Sequence, residues 1–537
     1  MSTILSVENL SLVIAKEQLL RSVSFEIKEG EIFALVGESG SGKSLTSLAI
    51  MRLLPDSINV VTGDIRLKEH SLFDITESQM QKIRGKSIAM IFQEPMSALN
   101  PVMTVGEQVA EVIRLHLGLT KEAVKKKVIS LFDEVGIKDP SERYFWYPHQ
   151  LSGGQKQRVM IAMALACEPD LLIADEPTTA LDVTIQAQVL SLLKQIREKR
   201  KLSILFITHD MGVVAQMADR IAVMKEGELL ETAPRDTFFE QPKHPYTQRL
   251  LKDAIAMQAK ETGEEGETTL LKVKDLKVYF PIKKGLLQRT VGYVKAVDGV
   301  NFAIPKGKTL ALVGESGSGK STIGKAILRL LDITKGTIAF RDVNIAELNE
   351  ASLKAYRSKI QVVFQDPYSA LNPRMTIGEI IREGMVSLKV GPKEKEAQDI
   401  RIGELLEKVG LKKEYTERYP HEFSGGQRQR IGIARALAVE PELIICDEPT
   451  SALDVTVRSQ VLSLLKKLQD DFAVSYLFIT HDLSLIPSIA DEVAVMQEGK
   501  LVEQGPVDEV MHNPQHEYTR TLLKAVPKPP PIQKEEL

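Results

Sequence analysis

The chain has 537 residues, 43% of them apolar and 26% charged, which is the balance of an ordinary globular protein with room for several cores. A net charge of −3 excludes an overall electrostatic bias toward nucleic acid or an anionic membrane surface. Two well-separated cysteines, Cys167 and Cys446, exclude a disulfide framework and point to a reducing compartment. There is neither a leader-like opening nor an apolar run of about 18 residues, so any membrane role is expected to come through partners.

Short strands are expected first, at Ile4-Leu5-Ser6-Val7 and at Val23-Ser24-Phe25-Glu26-Ile27, the second closed by the turn Lys28-Glu29-Gly30. The apolar run Ile32-Phe33-Ala34-Leu35-Val36 reads as a buried parallel strand. It leads into Gly37-Glu38-Ser39-Gly40-Ser41-Gly42-Lys43-Ser44, which fits the pattern G-x-x-x-x-G-K-[ST], and then into a helix beginning Leu45-Thr46-Ser47-Leu48. Strand, glycine-rich loop and helix together form a phosphate cradle. Backbone N–H groups converge where a Cβ would obstruct, and the helix N-terminus adds partial positive charge. Lys43 can reach the β- and γ-phosphates, and the Ser44 hydroxyl can hold Mg²⁺.

Met90-Ile91-Phe92 ends another strand and delivers Gln93. Thr104-Val105-Gly106-Glu107 has the form of a capping box opening a helix. Val124, Val128, Leu131 and Val135 give a second helix that can stop at Gly136, so a helical insertion is expected between Gln93 and Leu151. Leu151-Ser152-Gly153-Gly154-Gln155 precedes a further helix, placing a hydroxyl and bare amides at its N-terminus. Leu171-Leu172-Ile173-Ala174 is a buried strand ending in Asp175-Glu176: Asp175 can hold Mg²⁺, and Glu176 can act as general base or orient the attacking water. Ile204-Leu205-Phe206-Ile207 ends in Thr208-His209. Chemical groups at the carboxyl ends of parallel strands match the rule for ligand sites in open α/β sheets.

The whole arrangement then returns. Gly314-Glu315-Ser316-Gly317-Ser318-Gly319-Lys320-Ser321, Gln365, Phe423-Ser424-Gly425-Gly426-Gln427, Asp447-Glu448 and Thr480-His481 repeat the motifs in order. Two domains are expected, 1–252 and 271–525. Between them lies an acidic linker at 253–270, and a Pro-rich, disordered tail follows at 526–537.

These motifs, followed by Ala180-Leu181-Asp182 and Ala452-Leu453-Asp454, resemble those of ABC ATPase domains, twice over and across nearly the whole chain. The resemblance implies two tandem α/β P-loop NTPase domains, each with a mainly parallel-sheet core, an antiparallel β subdomain and a helical insertion. It implies that they close head to tail as an intramolecular dimer on two ATP–Mg²⁺. One site would use Gly37 to Ser44, Gln93, Asp175, Glu176 and His209, facing Ser424, Gly425 and Gly426. The other would use Gly314 to Ser321, Gln365, Asp447, Glu448 and His481, facing Ser152, Gly153 and Gly154. Glu176, His209, Glu448 and His481 would be catalytic. Ser44, Gln93, Asp175, Ser321, Gln365 and Asp447 would serve the metal, and Asp182 and Asp454 would communicate between domains. The family stacks adenine on an aromatic near each domain start. Phe280 fits in the second half, but Ile14 stands at the matching place in the first, so weaker nucleotide binding is expected there.

Gln93-Glu94-Pro95-Met96-Ser97-Ala98-Leu99-Asn100-Pro101 and Gln365-Asp366-Pro367-Tyr368-Ser369-Ala370-Leu371-Asn372-Pro373 narrow the resemblance to the peptide/nickel importer branch. His244-Pro245-Tyr246-Thr247-Gln248 and His516-Glu517-Tyr518-Thr519-Arg520 point the same way. The fused layout is similar to microcin C/oligopeptide importer ATP-binding subunits. This implies two transmembrane permease subunits as partners, indirectly a periplasmic or lipid-anchored substrate-binding protein, and a peripheral place on the cytoplasmic face of the membrane, with no nucleic acid involved. The alternative is a soluble twin ATPase acting on ribosomes. Such proteins carry a long basic linker, whereas this one is short and acidic.

Overall fold

The strand Ile32–Val36 is buried along its full length, so it shows no polar alternation. Its side chains divide between the two faces of the sheet. Phe33 and Leu35 face an antiparallel sheet, with Phe33 stacked on Phe25 at 5.2 Å between ring centroids. Ala34 and Val36 face Met211, Phe238, Leu250 and Leu251 on helices that come late in the first half. The computed structural model describes residues 2–93, 98–178, 181–255, 268–284, 289–366, 368–451 and 453–527. Glu94 to Ser97, Ala180, Pro367, Ala452, linker residues 256–267 and tail residues 528–537 lie outside the described residues.

The chain falls into two compact units. The first holds Met1–Leu181 with Ile185–Ile255, and the second runs through Ala256–Val526. In the first unit one sheet has the order Glu228–Pro234, Arg220–Lys225, Ile32–Val36, Ser203–Thr208, Leu171–Asp175, Ile88–Ile91. Every neighbouring pair is parallel except the edge strand Glu228–Pro234. The second unit repeats this with Lys500–Pro506, Glu492–Gln497, Thr309–Val313, Ser475–Thr480, Leu443–Asp447 and Ile360–Val363. Each unit also has a four-stranded antiparallel sheet, led by the hairpins Thr3–Ile14 with Glu17–Lys28 and Thr269–Lys284 with Arg289–Pro305.

The helical insertion is present in both units, as Val105–Leu117 and Lys121–Glu134, and as Ile377–Leu388 and Lys395–Lys408. One expected detail is corrected. Thr104 does cap its helix, accepting from the Glu107 N–H at 3.4 Å, but the reciprocal half of the box is not made. Glu107 instead accepts from the Tyr144 hydroxyl at 3.1 Å and pairs with Arg114 at 2.7 Å, so its carboxylate is already engaged. The matching box at Thr376 and Glu379 is complete. The helix Pro245–Ile255 extends into the linker segment, and the next strand begins at Thr269.

Candidate nucleotide site

Each phosphate loop is wedged against its own sheet. A Cβ on Gly37 would sit 2.2 Å from the Met224 carbonyl oxygen, and one on Gly314 the same distance from that of Met496. Gly42 and Gly319 precede their helices at φ 101° and 106°, a left-handed conformation that costs glycine little. Lys43 is buried. Its Nζ donates to the Gly37 and Glu38 carbonyls at 2.8 Å each and lies 3.4 Å from Ser41 Oγ. Lys320 makes the same contacts with Gly314, Glu315 and Ser318. Burial lowers the Lys320 ammonium pKa, against the pull of Glu448 and Asp447.

The Ser44 hydroxyl donates to Asp175 Oδ1 at 3.2 Å, and Ser321 donates to Asp447 Oδ1 at 2.9 Å. Burial, with Glu176 beside it, pushes the Asp175 carboxyl up to about 6, and burial also raises Asp447. A buried carboxylate paired with a hydroxyl beside a phosphate cradle fits Mg²⁺, which takes one or two hard protein oxygens and completes its shell with phosphates and water. Among the described residues no three His, Cys, Asp or Glu side chains gather into an all-protein cage.

Beyond the aspartates stand two matching triads. Gln93 Nε2 donates to Glu176 Oε2 at 2.8 Å, and His209 Nδ1 lies 3.0 Å from Glu176 Oε1. Gln365, Glu448 and His481 repeat this at 2.7 and 3.0 Å. A carboxylate only accepts, so each histidine carries its proton on Nδ1 and presents Nε2 outward. In the second unit burial is the largest influence and disfavours both charges, but the hydrogen bond and the attraction of neighbouring opposite charges together outweigh it. Glu448 is held below the usual carboxylate range and His481 above the usual imidazole range. Glu176 and Glu448 both adopt positive φ, 47° and 48°, and their N–H groups donate to the Ile207 and Ile479 carbonyls at 2.9 Å. This left-handed turn at the strand end costs about 1 kcal/mol.

The Ser-Gly-Gly turns are helix caps. Ser152 Oγ accepts from the Gln155 N–H at 3.3 Å while Gln155 Oε1 accepts from the Ser152 N–H at 3.0 Å, and Ser424 with Gln427 does the same. The serine oxygen only accepts in the cap, so its O–H remains available to a phosphate. Gly154 and Gly426 pack tightly: added Cβ atoms would meet Ile185 Cγ2 at 2.7 Å and Val457 Cγ1 at 2.4 Å. Asp454 caps the helix Val455–Phe472, accepting from the Val457 N–H at 2.9 Å, and Asp182 immediately precedes Val183–Arg200. Phe280 is 41% exposed on its hairpin, whereas the neighbouring Tyr279 is tied through its hydroxyl to Asp298. Sequence reasoning missed Gln157, whose buried amide donates to the Pro177 carbonyl at 2.6 Å and ties the Ser-Gly-Gly helix to the residue after Glu176. It also missed the acids Glu231 and Glu503, which accept from backbone N–H groups at the start of the His-x-Tyr-Thr motifs.

Residues 20–179 and 297–451 match the ABC transporter family, covering the loop and the Asp-Glu pair of each unit. The chain belongs to the ABC transporter family. Residues 230–276 and 502–537 match the oligopeptide/dipeptide transporter C-terminal region. Relatives include the glutathione import ATP-binding protein GsiA of Escherichia coli K12, 48% identical over 98% of this chain and 89% of that protein, and that of Salmonella typhimurium LT2, 47% identical with the same coverage. A solved dimeric cassette, MJ0796 bound to ADP and Pi, is 29% identical over 44% of this chain and 98% of its own, with a TM-score of 0.40. As an ABC ATP-binding protein the chain is an ATPase.

Proposed function

We propose that this ABC ATPase is the energy-coupling subunit of an importer of peptides or peptide-like compounds, glutathione being the example that its relatives' names supply. The observation that carries the reading is the oligopeptide/dipeptide C-terminal region, matched once in each half. Nothing in these relatives favours the ribosomal alternative.

In this reading the domains are 1–252 and 271–525, and they close head to tail on two ATP. The Ser152-Gly153-Gly154 and Ser424-Gly425-Gly426 turns each cover the nucleotide held by the other half, with Asp182 and Asp454 coupling the two. Lys43 and Lys320 turn from loop carbonyls to phosphate oxygens. Glu176 and Glu448 orient or deprotonate the water that attacks the γ-phosphate, releasing ADP and phosphate. Their bonds to Gln93 and His209, and to Gln365 and His481, fix both carboxylate oxygens before substrate arrives. His209 and His481 point Nε2 at the γ-phosphate. Ser44 with Asp175, and Ser321 with Asp447, would hold Mg²⁺, with Gln93 and Gln365 beside it. When bound it neutralises phosphate charge.

Two transmembrane permease subunits are the proposed partners, with a substrate-binding protein acting through them. No helix among the described residues is long and apolar enough to cross a membrane. The helical insertions expose apolar side chains suited to a partner, Val102 and Leu115 in one half and Val386 and Ile400 in the other. A peripheral position on the cytoplasmic face follows. Affinity capture of the tagged chain from detergent-solubilised membranes, with and without ATP, is expected to recover two hydrophobic permease subunits. Recovery of ribosomes in their place would overturn the reading.

A further inference from the structure

The His-x-Tyr-Thr motif lies outside the ATPase motifs, yet in the second unit it reaches the phosphate loop. The edge strand Lys500–Pro506 carries Glu503, which accepts from the Gln515 N–H at 2.7 Å and the His516 N–H at 3.1 Å. His516 then caps the helix Glu517–Ala525, its Nδ1 accepting from the Tyr518 N–H at 3.2 Å. Thr519 and Leu522 bury the inner face of this helix. Tyr518 is therefore fixed at its backbone on the first turn. Its hydroxyl oxygen accepts from the Glu315 N–H at 3.2 Å.

Glu315 is the second residue of the loop, and the geometry there is two-sided. The planar peptide joining Gly314 to Glu315 points its C=O and its N–H in opposite directions. The Gly314 oxygen accepts from Lys320 Nζ at 2.8 Å, and the Glu315 N–H donates to Tyr518. One peptide plane is thus held at two opposite edges, by the loop lysine on one side and the C-terminal helix on the other. Hydrogen bonds in series polarise one another, so the tyrosine also strengthens the carbonyl that orients Lys320. Burial pushes the Tyr518 hydroxyl up to about 12, so it stays neutral at physiological pH.

We propose that Tyr518 is a positioning residue for the second ATP site, and that the helix Glu517–Ala525 works as a strap that sets the first peptide of the phosphate loop. The matching residue of the first unit, Tyr246, lies with its ring 4.8 Å from Lys225 Nζ, where the second unit has Gln497.

The proposal rests on reading Gly314 to Ser321 as a phosphate cradle, and the test separates the two. The full chain carrying Lys43→Ala, so that only the second loop reports, is titrated with trinitrophenyl-ATP and assayed for steady-state ATP hydrolysis. Tyr518→Phe keeps the ring and removes only the acceptor oxygen. It is expected to weaken nucleotide binding and raise KM by about five-fold, the scale of one neutral hydrogen bond, while kcat and the nucleotide-free melting temperature hold. Leu522→Ala loosens the same helix without touching the loop. If it raises KM as much on the Tyr518→Phe background as on the parent, packing and not the tyrosine's bond sets the loop, and the proposal fails. It also fails if Tyr518→Phe binds like the parent while Lys320→Ala loses binding. Retention of binding by Lys320→Ala would overturn the phosphate-loop reading itself.

Discussion

At the scale of single residues, two carboxylates should decide the rate. Glu176 and Glu448 are each clamped by an amide and an imidazole and held in a left-handed turn. Replacing a general base typically costs about 10²–10⁴-fold in the step it serves. Glu176→Gln and Glu448→Gln should therefore each lower steady-state ATP hydrolysis while leaving ATP binding in place, and the double variant should be nearly inactive. A single variant with the parent's rate would mark its site as silent. The acids, the glutamines and the histidines were readable in the sequence because each follows an apolar run and the three recur in the second half at the same spacing from one another. The positive φ at the glutamates was not. Nothing in the residue type announces it, and it follows from the N–H being drawn to the neighbouring strand's last carbonyl. The Thr104 box misled for a related reason. A capping pattern specifies a possible bond, and Tyr144, remote in sequence, and Arg114, two turns along the same helix, had already taken the glutamate.

At the scale of elements, the two hairpins explain an asymmetry that the residues only hinted at. In the first unit the hairpin turns straight after Ile14, which sits opposite Glu17, and the third strand runs alongside to its tip, pairing Ile14 with Ile58. In the second unit Phe280 sits opposite Val294, the hairpin continues to Lys284 and Arg289, and the third strand stops at Lys277 opposite Lys335. The strands themselves were readable as apolar runs; their length and pairing were not, because half-exposed residues at a hairpin tip carry little periodic signal. Without an aromatic at position 14, adenine loses a stacking partner worth about 1 kcal/mol. ATP should thus bind the first site about five-fold more weakly than the second, measured in full chains carrying Lys320→Ala or Lys43→Ala. Ile14→Phe should recover part of the difference. Equal affinities would show that the first unit supplies the stacking from elsewhere.

At the scale of the whole molecule, turnover has to leave the nucleotide sites and reach a partner, and in the proposed reading the helical insertions carry it there. Each follows the strand end that delivers Gln93 or Gln365, so in the proposed reading a movement at the γ-phosphate is one short segment away from the insertion. Their buried faces are satisfied: Val109, Ile113, Val128 and Phe132 close one core, and Ile380, Ile381, Ile402 and Leu406 the other. Leu115 and Ile400 are left 74% and 66% exposed, a cost in water that a permease surface would remove. Leu115→Arg and Ile400→Arg should hence leave the purified chain's basal ATP hydrolysis and melting temperature unchanged, since neither side chain supports a core. In membranes the same changes should abolish co-purification of the permease and any acceleration of hydrolysis by transported substrate, because a guanidinium buried without a partner costs several kcal/mol. Comparing basal with substrate-stimulated rates separates docking from catalysis. A variant that loses both has damaged the fold, and one that keeps both places the docking surface elsewhere on the chain.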